Sequence, residues 1–289
     1  INKLKKTMET QIDQTIQYGQ TVKRDSEYKF TKIIQNTGGD TLEIKTASQT
    51  STFEIPIVGF NLAKSFLNFE QEIPENTTNG RYAHAFRSTP PWSRLELYTR
   101  GGTYLMDITN FANVYTAYGQ RTKSIENFHG ALNGVVTKTG LNDLTIRKSI
   151  AGNASDGAGS GTSDLYWRLP FNELYNTVMS LDKTIITGEV LNLRVTWAPA
   201  QHHGFWSTGA TGATPVDIPA ASAVNIRSLS LYLAQEVNPT VLNELSQVVS
   251  TQGMSLLIPF VHAYKTTLSD AMTSHAISVR LSRGHGVSL

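Results

Sequence analysis

The chain contains no cysteine. That single absence excludes disulfide frameworks, thiolate metal sites and cysteine nucleophiles together, and it is compatible with a reducing compartment. Charge is scarce as well: Asp, Glu, Lys and Arg make up 17% of the residues, against roughly 25% in ordinary soluble domains. A surface thin in charge is often one that meets other protein. The net charge is only +2 and no run of Lys or Arg exceeds two adjacent residues, so no basic arm for packaging nucleic acid is present and direct genome binding is not expected. No stretch of about 18 apolar residues marks a membrane-spanning helix, and residues 1–18 lack the apolar core of a secretory signal. Without such a signal, the sequons Asn76-Thr77-Thr78 and Asn153-Ala154-Ser155 read as chance matches.

What is present is a globular pattern, 39% hydrophobic over 289 residues, long enough for one large β domain or two moderate ones. Its most informative stretch is 165–199. A strand over 165–169 halts at Pro170, which has no N–H to give a ladder, and Leu174, Val178 and Leu181 then recur at helical spacing. This predicts a short helix over 172–182 that caps a barrel end. From Gly188 the period drops to two: Leu191, Leu193, Val195 and Trp197 alternate with Asn192, Arg194 and Thr196, as in a strand buried on one face.

Along the rest of the chain, Leu4, Met8, Ile12 and Ile16 form an amphipathic helical stripe over residues 1–18. It suits a helix docked on its own domain, or an arm that reaches a neighbouring subunit or a membrane face. Residues 28–34 and 41–46 read as a hairpin around Asn36-Thr37-Gly38-Gly39-Asp40. Two strands follow between Phe53 and Ile73, with Leu67, Phe69 and Ile73 on one side of the second. After a polar loop and Pro90-Pro91-Trp92, Leu95 and Leu97 alternate with Arg94, Glu96 and Tyr98. Arg100-Gly101-Gly102 then turns the chain into Thr103–Ile108. Thr109 is placed to cap a short helix carrying Phe111, Val114 and Tyr115, ended by Gly119. Residues 130–150 hold one or two weaker strands. Residues 152–164 read as a loop rich in Gly, Ser and Ala, and 198–222 as a long loop rich in Gly, Ala, Thr and Pro. Val224–Leu233 is a strand, Asn238-Pro239 starts a helix with Leu242, Leu245 and Val249 inward, and 255–263 and 276–282 are two last strands. About ten short strands with few helices describe an all-β jelly-roll sandwich with short capping helices.

Chemistry is harder to find. Adjacent histidines on an extended strand point apart, so His202-His203 makes a poor metal pair, and His84, His129, His262, His275 and His285 lack metal spacing. Gly157-Ala158-Gly159-Ser160-Gly161 misplaces the serine of a nucleophile elbow by one residue, and no Gly-Lys-Ser/Thr follows it to make a phosphate loop. Asp107, Glu126 and Asp182 are carboxylates with no sign that two face each other, as a glycosidase requires. Trp92, Tyr98, Tyr104, Trp167, Trp197 and Trp206 could stack on sugars, although strand positions favour core packing for most of them. No catalytic, cofactor-binding or metal-ligating residue is therefore assigned, and no cofactor is expected.

The stretch from Phe53-Glu54-Ile55-Pro56 through Ile73-Pro74 resembles the opening strand pair of the double-jelly-roll major capsid proteins of tailless icosahedral DNA viruses, the lineage of phages, virophages and large DNA viruses. Residues 165–199, with their Leu169-Pro170-Phe171 start, are similar to the segment that closes the first roll in that family. Leu95–Ile108 resembles a middle hairpin of the same roll, and Val224–Leu233 its closing strand. The resemblance covers about residues 50–235. It implies a non-enzymatic capsid subunit of the virion, assembled in the host cell. It further implies a homotrimer of two rolls per chain, forming pseudo-hexameric capsomers that tile an icosahedral shell, with loops 74–92, 151–164 and 198–222 outward or locking neighbours. Minor capsid proteins are further partners, and residues 1–18 are the segment suited to contact an internal membrane.

In this reading residues 1–24 are an arm, 25–237 the jelly roll, and 238–289 a linker helix with the start of a second roll or a C-terminal extension. The residues after 235 are too few for a whole second roll. The last strands must pair with an edge of the first roll, with a neighbouring subunit or with residues beyond this chain, and a start at Ile1 with a finish at Gly286-Val287-Ser288-Leu289 without a polar tail inclines the reading to a fragment of a longer protein. The alternatives are a single-roll capsid or spike protein, a carbohydrate-binding jelly-roll lectin, and a jelly-roll enzyme with an unrecognised site.

Overall fold

The computed structural model describes residues 26–36, 39–45, 49–73, 81–84, 90–115, 135–137, 163–200, 203–208, 214–217 and 223–252. Thirteen strands lie among them: β1 Tyr28–Ile34, β2 Leu42–Ile44, β3 Thr50–Ile55, β4 Phe60–Ile73, β5 Arg81–His84, β6 Trp92–Thr99, β7 Tyr104–Thr109, β8 Val135–Thr137, β9 Ser163–Pro170, β10 Leu191–Trp197, β11 Gly204–Thr208, β12 Thr214–Asp217 and β13 Val224–Glu236. A six-stranded sheet has the order β1-β13-β4-β9-β8, with β2 also on β13, and a four-stranded sheet has the order β3-β10-β6-β7. A small three-stranded sheet, β12-β11-β5, stands apart.

Counting β1 and β2 as one interrupted strand, the main sheets pair the first strand with the last, β3 with β10, β4 with β9 and β6 with β7, all antiparallel. This is one long hairpin of nested pairs rolled into a two-sheet sandwich, the jelly roll. The expected all-β fold is what forms.

Period-two patterning explains why these residues make strands. In β10 the odd residues Leu191, Leu193, Val195 and Trp197 are fully buried and the even ones half-buried, because one face meets the core and the other solvent. Aromatic rings fill the middle of the sandwich. Phe69 stacks on Trp167 with centroids 5.6 Å apart and meets Trp197 edge-on at 5.2 Å, and Trp197 donates its indole N–H to Ser51 Oγ at 2.9 Å. The turn Arg100-Gly101-Gly102 joins β6 to β7 as expected, with Gly102 at φ 89°, where a side chain would be strained.

Five expectations need correction. Residues 28–34 and 41–46 do not pair with each other: β1 and β2 both lie on β13. The chain between them detours to the other sheet, where Asn36 N–H donates to Thr52 O at 2.9 Å, and returns with Asp40 O accepting from Leu229 N–H at 2.9 Å. No helix spans 172–182; two single 3-10 turns, Phe171–Glu173 and Val178–Ser180, stand there instead. Asn176 adopts a left-handed φ of 55°. Thr177 is extended, its hydroxyl donating to Leu174 O at 2.6 Å and accepting from Met179 N–H at 3.2 Å. Such local bonds compete with a helix and win here. Leu174 and Val178 are nevertheless buried, while Leu181 packs at the core's rim.

The stretch 198–222 holds β11 and β12, which pair in a small sheet with β5, a strand the sequence pattern did not reveal. Finally, the strand after residue 162 runs through Pro170, which sits opposite Phe66 as its last residue. The short helix after β7 covers residues 111–115 and begins behind Asn110 at φ 52°, so Thr109 lies one place before it.

The helix Pro239–Gln252 turns Val241 and Leu245 inward against Ile186. Gly59 passes so close beneath it that an added Cβ would lie 2.4 Å from Leu242 Cδ2. Glu236 joins the pieces: its Oε1 accepts from the backbone N–H groups of Glu27, Val237 and Asn238 at 2.8, 3.1 and 3.0 Å. Residues 1–18, most of 130–162, Gly119 and the strands expected at 255–263 and 276–282 lie outside the described residues.

Candidate assembly surface

The two outer faces of the roll carry different chemistry, and each follows from residues alternating outward on its strands. On the four-stranded sheet, β6 turns out Arg94, Glu96 and Tyr98, β7 Tyr104 and Asp107, and β10 Arg194. Register sets Arg194 opposite Glu96, and Glu96 opposite Asp107.

Two bidentate pairs result. Arg194 donates from Nε and Nη2 to the two Glu96 oxygens at 2.6 and 2.7 Å. Arg94 donates from Nε and Nη2 to Asp107 at 2.8 and 2.7 Å, and its Nη2 also lies 3.2 Å from Glu96 Oε1. The fork geometry of guanidinium on carboxylate is the strong form of this contact. The hydrogen bonds to Glu96 push Arg194 above the ordinary arginine value and those to Asp107 push Arg94 up, in each case against the opposing effect of burial. Tyr98 lies beneath the Arg194 guanidinium at 5.1 Å, with Tyr104 beside it. Glu96 has no exposed surface although it points away from the core. The four charges balance, so this face is a sealed lattice and not a reactive acid–base pair.

The six-stranded sheet is finished in the opposite way. Phe66 of β4 stacks on Tyr232 of β13 with centroids 4.8 Å apart, and Phe30 of β1 meets Phe66 edge-on at 5.5 Å. The Arg168 guanidinium of β9 lies 4.1 Å over Phe66, a cation–π contact. Phe30 and Ile34 remain 51% and 48% exposed. Phe30, Phe66 and Tyr232 thus form an aromatic cluster on this face, with Arg168 over Phe66, exposed Lys32 opposite Tyr232, and Ile34 beyond Lys32 along β1. Isolated exposed apolar residues are ordinary, whereas aromatic rings gathered on one outer sheet face are the kind of surface on which protein contacts form.

The residues weighed as chemistry fall elsewhere. Asp107 is held by Arg94. Asp182, in the connection before β10, accepts from Asn61 Nδ2 at 2.9 Å and pairs with Lys64 at 3.4 Å, so the two carboxylates are not brought together. Glu126 lies outside the described residues. Trp92, Trp167 and Trp197 are all core residues, which bears out core packing for them; the side chain of Trp206 is not among those described.

His203 has no exposed surface and is bonded on both ring nitrogens. It is a satisfied core histidine. Of the others, His84 lies in β5, and His129, His202, His262, His275 and His285 lie outside the described residues. Among the described residues no three His, Asp or Glu side chains gather as metal ligands. Sequence reasoning missed the Arg94–Asp107 and Arg194–Glu96 lattice; opposite charges at outward positions of three strands were visible, but not the register that makes them meet.

No family model and no curated protein matches the chain. Among solved structures it is similar to PBCV-1 VP54, fitted into a reconstruction of the virophage Sputnik, with a TM-score of 0.46 and 12% identity over 78% of this chain and 46% of that one. It is similar also to the mavirus major capsid protein (0.41, 10%, 73% and 47%) and the Faustovirus major capsid protein (0.42, 13%, 78% and 56%). The chain spans about half the length of these solved chains.

Proposed function

We propose that this chain is a structural subunit of a virus shell, a major capsid protein whose work is to tile. The observation that carries the reading is the nested strand order, which makes a rigid roll finished with a sealed charge lattice on one face and an open aromatic cluster on the other. It is supported by the segments between residues 50 and 235 that resemble the double-jelly-roll family, now set in the successive strands of one roll. Residues 25–237 form this roll, residues 1–24 an arm, and residues 238–289 a linker helix leading into a second roll or a C-terminal extension.

In the assembled form two rolls per chain and three chains per ring give a pseudo-hexameric capsomer, located in the virion after assembly in the host cell. The partners are further copies of the chain, minor capsid proteins, and an internal membrane through residues 1–18. The role is structural, with no catalysis.

Native mass spectrometry and electron microscopy of the purified protein test this. Trimers, rings or sheets support tiling. A monomer that persists at high protein concentration and is retarded on an immobilised-sugar column overturns it in favour of a lectin.

A further inference from the structure

β1 is the outermost strand of the six-stranded sheet: β13 lies on one side of it, and among the described residues no strand lies on the other. Which of its backbone groups stay free follows from the ladder. In an antiparallel pair every second residue exchanges both its hydrogen bonds with the residue opposite. Val237 N–H donates to Glu27 O at 2.8 Å, while the N–H groups of Glu236 and Ala234 turn the other way, to Gly59 O at 2.8 Å and Ser65 Oγ at 2.9 Å. The residues of β13 that bond β1 are therefore Leu231, Leu233 and Gln235, and their partners are Ile33, Thr31 and Lys29. Tyr28, Phe30, Lys32 and Ile34 consequently aim their N–H and C=O groups at the free side. The side chains of Phe30, Lys32 and Ile34 are exposed beside that edge, and Ile33 packs against the core.

We propose that this edge pairs with the same edge of a second copy, antiparallel about a two-fold axis at Thr31, joining two six-stranded sheets into one. Open edges invite a strand, and the register says which. All seven residues of β1 are used only when Tyr28 stands opposite Ile34 of the second copy and Phe30 opposite its Lys32. In that register free groups meet free groups at every bonded pair. Lysines on an edge ordinarily keep it from pairing, because like charges come to stand opposite each other. Here Lys32 meets Phe30, a cation–π pair, and Lys29 meets Ile33.

Other registers are worse. Sliding one copy by two residues sets either Lys32 against Lys32 or Phe30 against Phe30, and both slides shorten the ladder at its ends. A slide of one residue puts free groups against groups already bonded to β13. The strand is thus complementary to itself in one register, as a two-fold contact requires. It also brings the aromatic clusters of the two copies onto one continuous outer face. The choice of a second copy as the occupant rests on the tiling reading together with this register.

Because the chain has no cysteine, single cysteine variants of the full chain report the contact cleanly. At the axis Thr31 faces Thr31 in a non-hydrogen-bonded pair, with Cα atoms about 4.5 Å apart, within reach of a disulfide. Lys29 is the more exposed of the two, and it stands about 13 Å along the strands from its counterpart. Under mild oxidation T31C is expected to form a covalent dimer roughly tenfold or more faster than K29C, because proximity replaces collision. Equal rates, or no link in T31C, overturn the contact.

Amide exchange of the parent supplies a readout that needs no variant to fold. Phe30, Lys32 and Ile34 are expected to exchange fast in dilute protein and slowly once copies associate, with Thr31 and Ile33 slow in both. Amides of Phe30 and Lys32 already slow in the dilute monomer mean that something other than a second copy holds the edge, and overturn the proposal. Trimers, rings or sheets that form without the T31C link overturn this contact and leave tiling standing. A linked dimer that builds nothing larger supports the contact and counts against tiling.

Discussion

Glu96 and Arg194 stand directly opposite each other on β6 and β10, and both Glu96 oxygens are occupied by the one guanidinium at 2.6 and 2.7 Å. The carboxylate is fully buried on a sheet face that points to solvent. Removing one partner leaves a buried charge without its main counterion. Arg194→Met is therefore expected to cost about 3 kcal/mol in urea unfolding, the low end of the range for a broken buried pair because Arg94 remains nearby. Replacing both residues with Met and Leu is expected to restore stability to near the parent. A single variant as stable as the parent would show that the lattice contributes nothing.

Glu236 is a clamp between the start of β1, the end of β13 and the helix that follows. Three backbone N–H groups depend on its Oε1, and bonds to a charged acceptor contribute roughly 1.5 to 3 kcal/mol each at most. Glu236→Ala is expected to lower stability by about 3 kcal/mol, and Glu236→Gln, which keeps an acceptor oxygen, by well under half of that. Equal losses in the two variants would mean that packing and not the acceptor matters. Chemical denaturation of both settles the point.

The 3-10 turns after β9 still bury what the expected helix would have buried. Leu174 is 4% exposed and Leu181 only partly buried, so Leu174→Ala is expected to cost about 2 to 5 kcal/mol and Leu181→Ala clearly less. A larger loss for Leu181→Ala in thermal melts would reverse this ranking.

Tyr115 is buried beside Glu173, to whose Oε2 its hydroxyl donates at 2.8 Å. Burial first, and the neighbouring carboxylate second, raise the phenol far above its ordinary value of 10.0. In the unfolded chain the phenol ionises near 10, whereas in the fold it stays protonated. Its contribution to stability is thus complete below about pH 10 and falls as pH rises beyond it. Tyr115→Phe is expected to flatten that alkaline fall in stability measured by denaturant titration.

The aromatic cluster supplies the assembly test. Phe30→Asp changes a half-exposed residue, so the folded protein is expected to melt within about 0.5 kcal/mol of the parent while oligomers vanish in native mass spectrometry. Oligomers that survive would place the contact elsewhere on the roll.

Much of this arrangement was legible in the residues, and what was not has a physical reason. β10 announced itself because one face is wholly apolar and the other wholly polar, and the β6–β7 hairpin because only Gly102 suits its turn. The helix over 172–182 was misread because apolar spacing alone carried it, while Asn176 and Thr177 broke the backbone locally. β1 and β2 looked like a hairpin because a Gly-rich loop joins them, yet their common partner β13 lies almost two hundred residues on. The charge lattice is likewise a product of register between distant strands. His203 stood in a stretch that read as loop, where nothing in the sequence marked it as interior.

The pairing of the first strand with the last sets the timetable of folding. Tyr28 lies opposite Glu236, so at roughly 5 to 20 residues per second β1 is synthesised about 10 to 40 s before its partner exists. Throughout that interval β1, β2 and one side of β4 are edges without a neighbour, because all three are closed by β13 alone. Pairings so remote in sequence also place an all-β chain at the slow end of folding rates. The nascent chain therefore passes through a prolonged state of open strand edges, the situation in which strands pair between molecules and in which chaperone custody matters most.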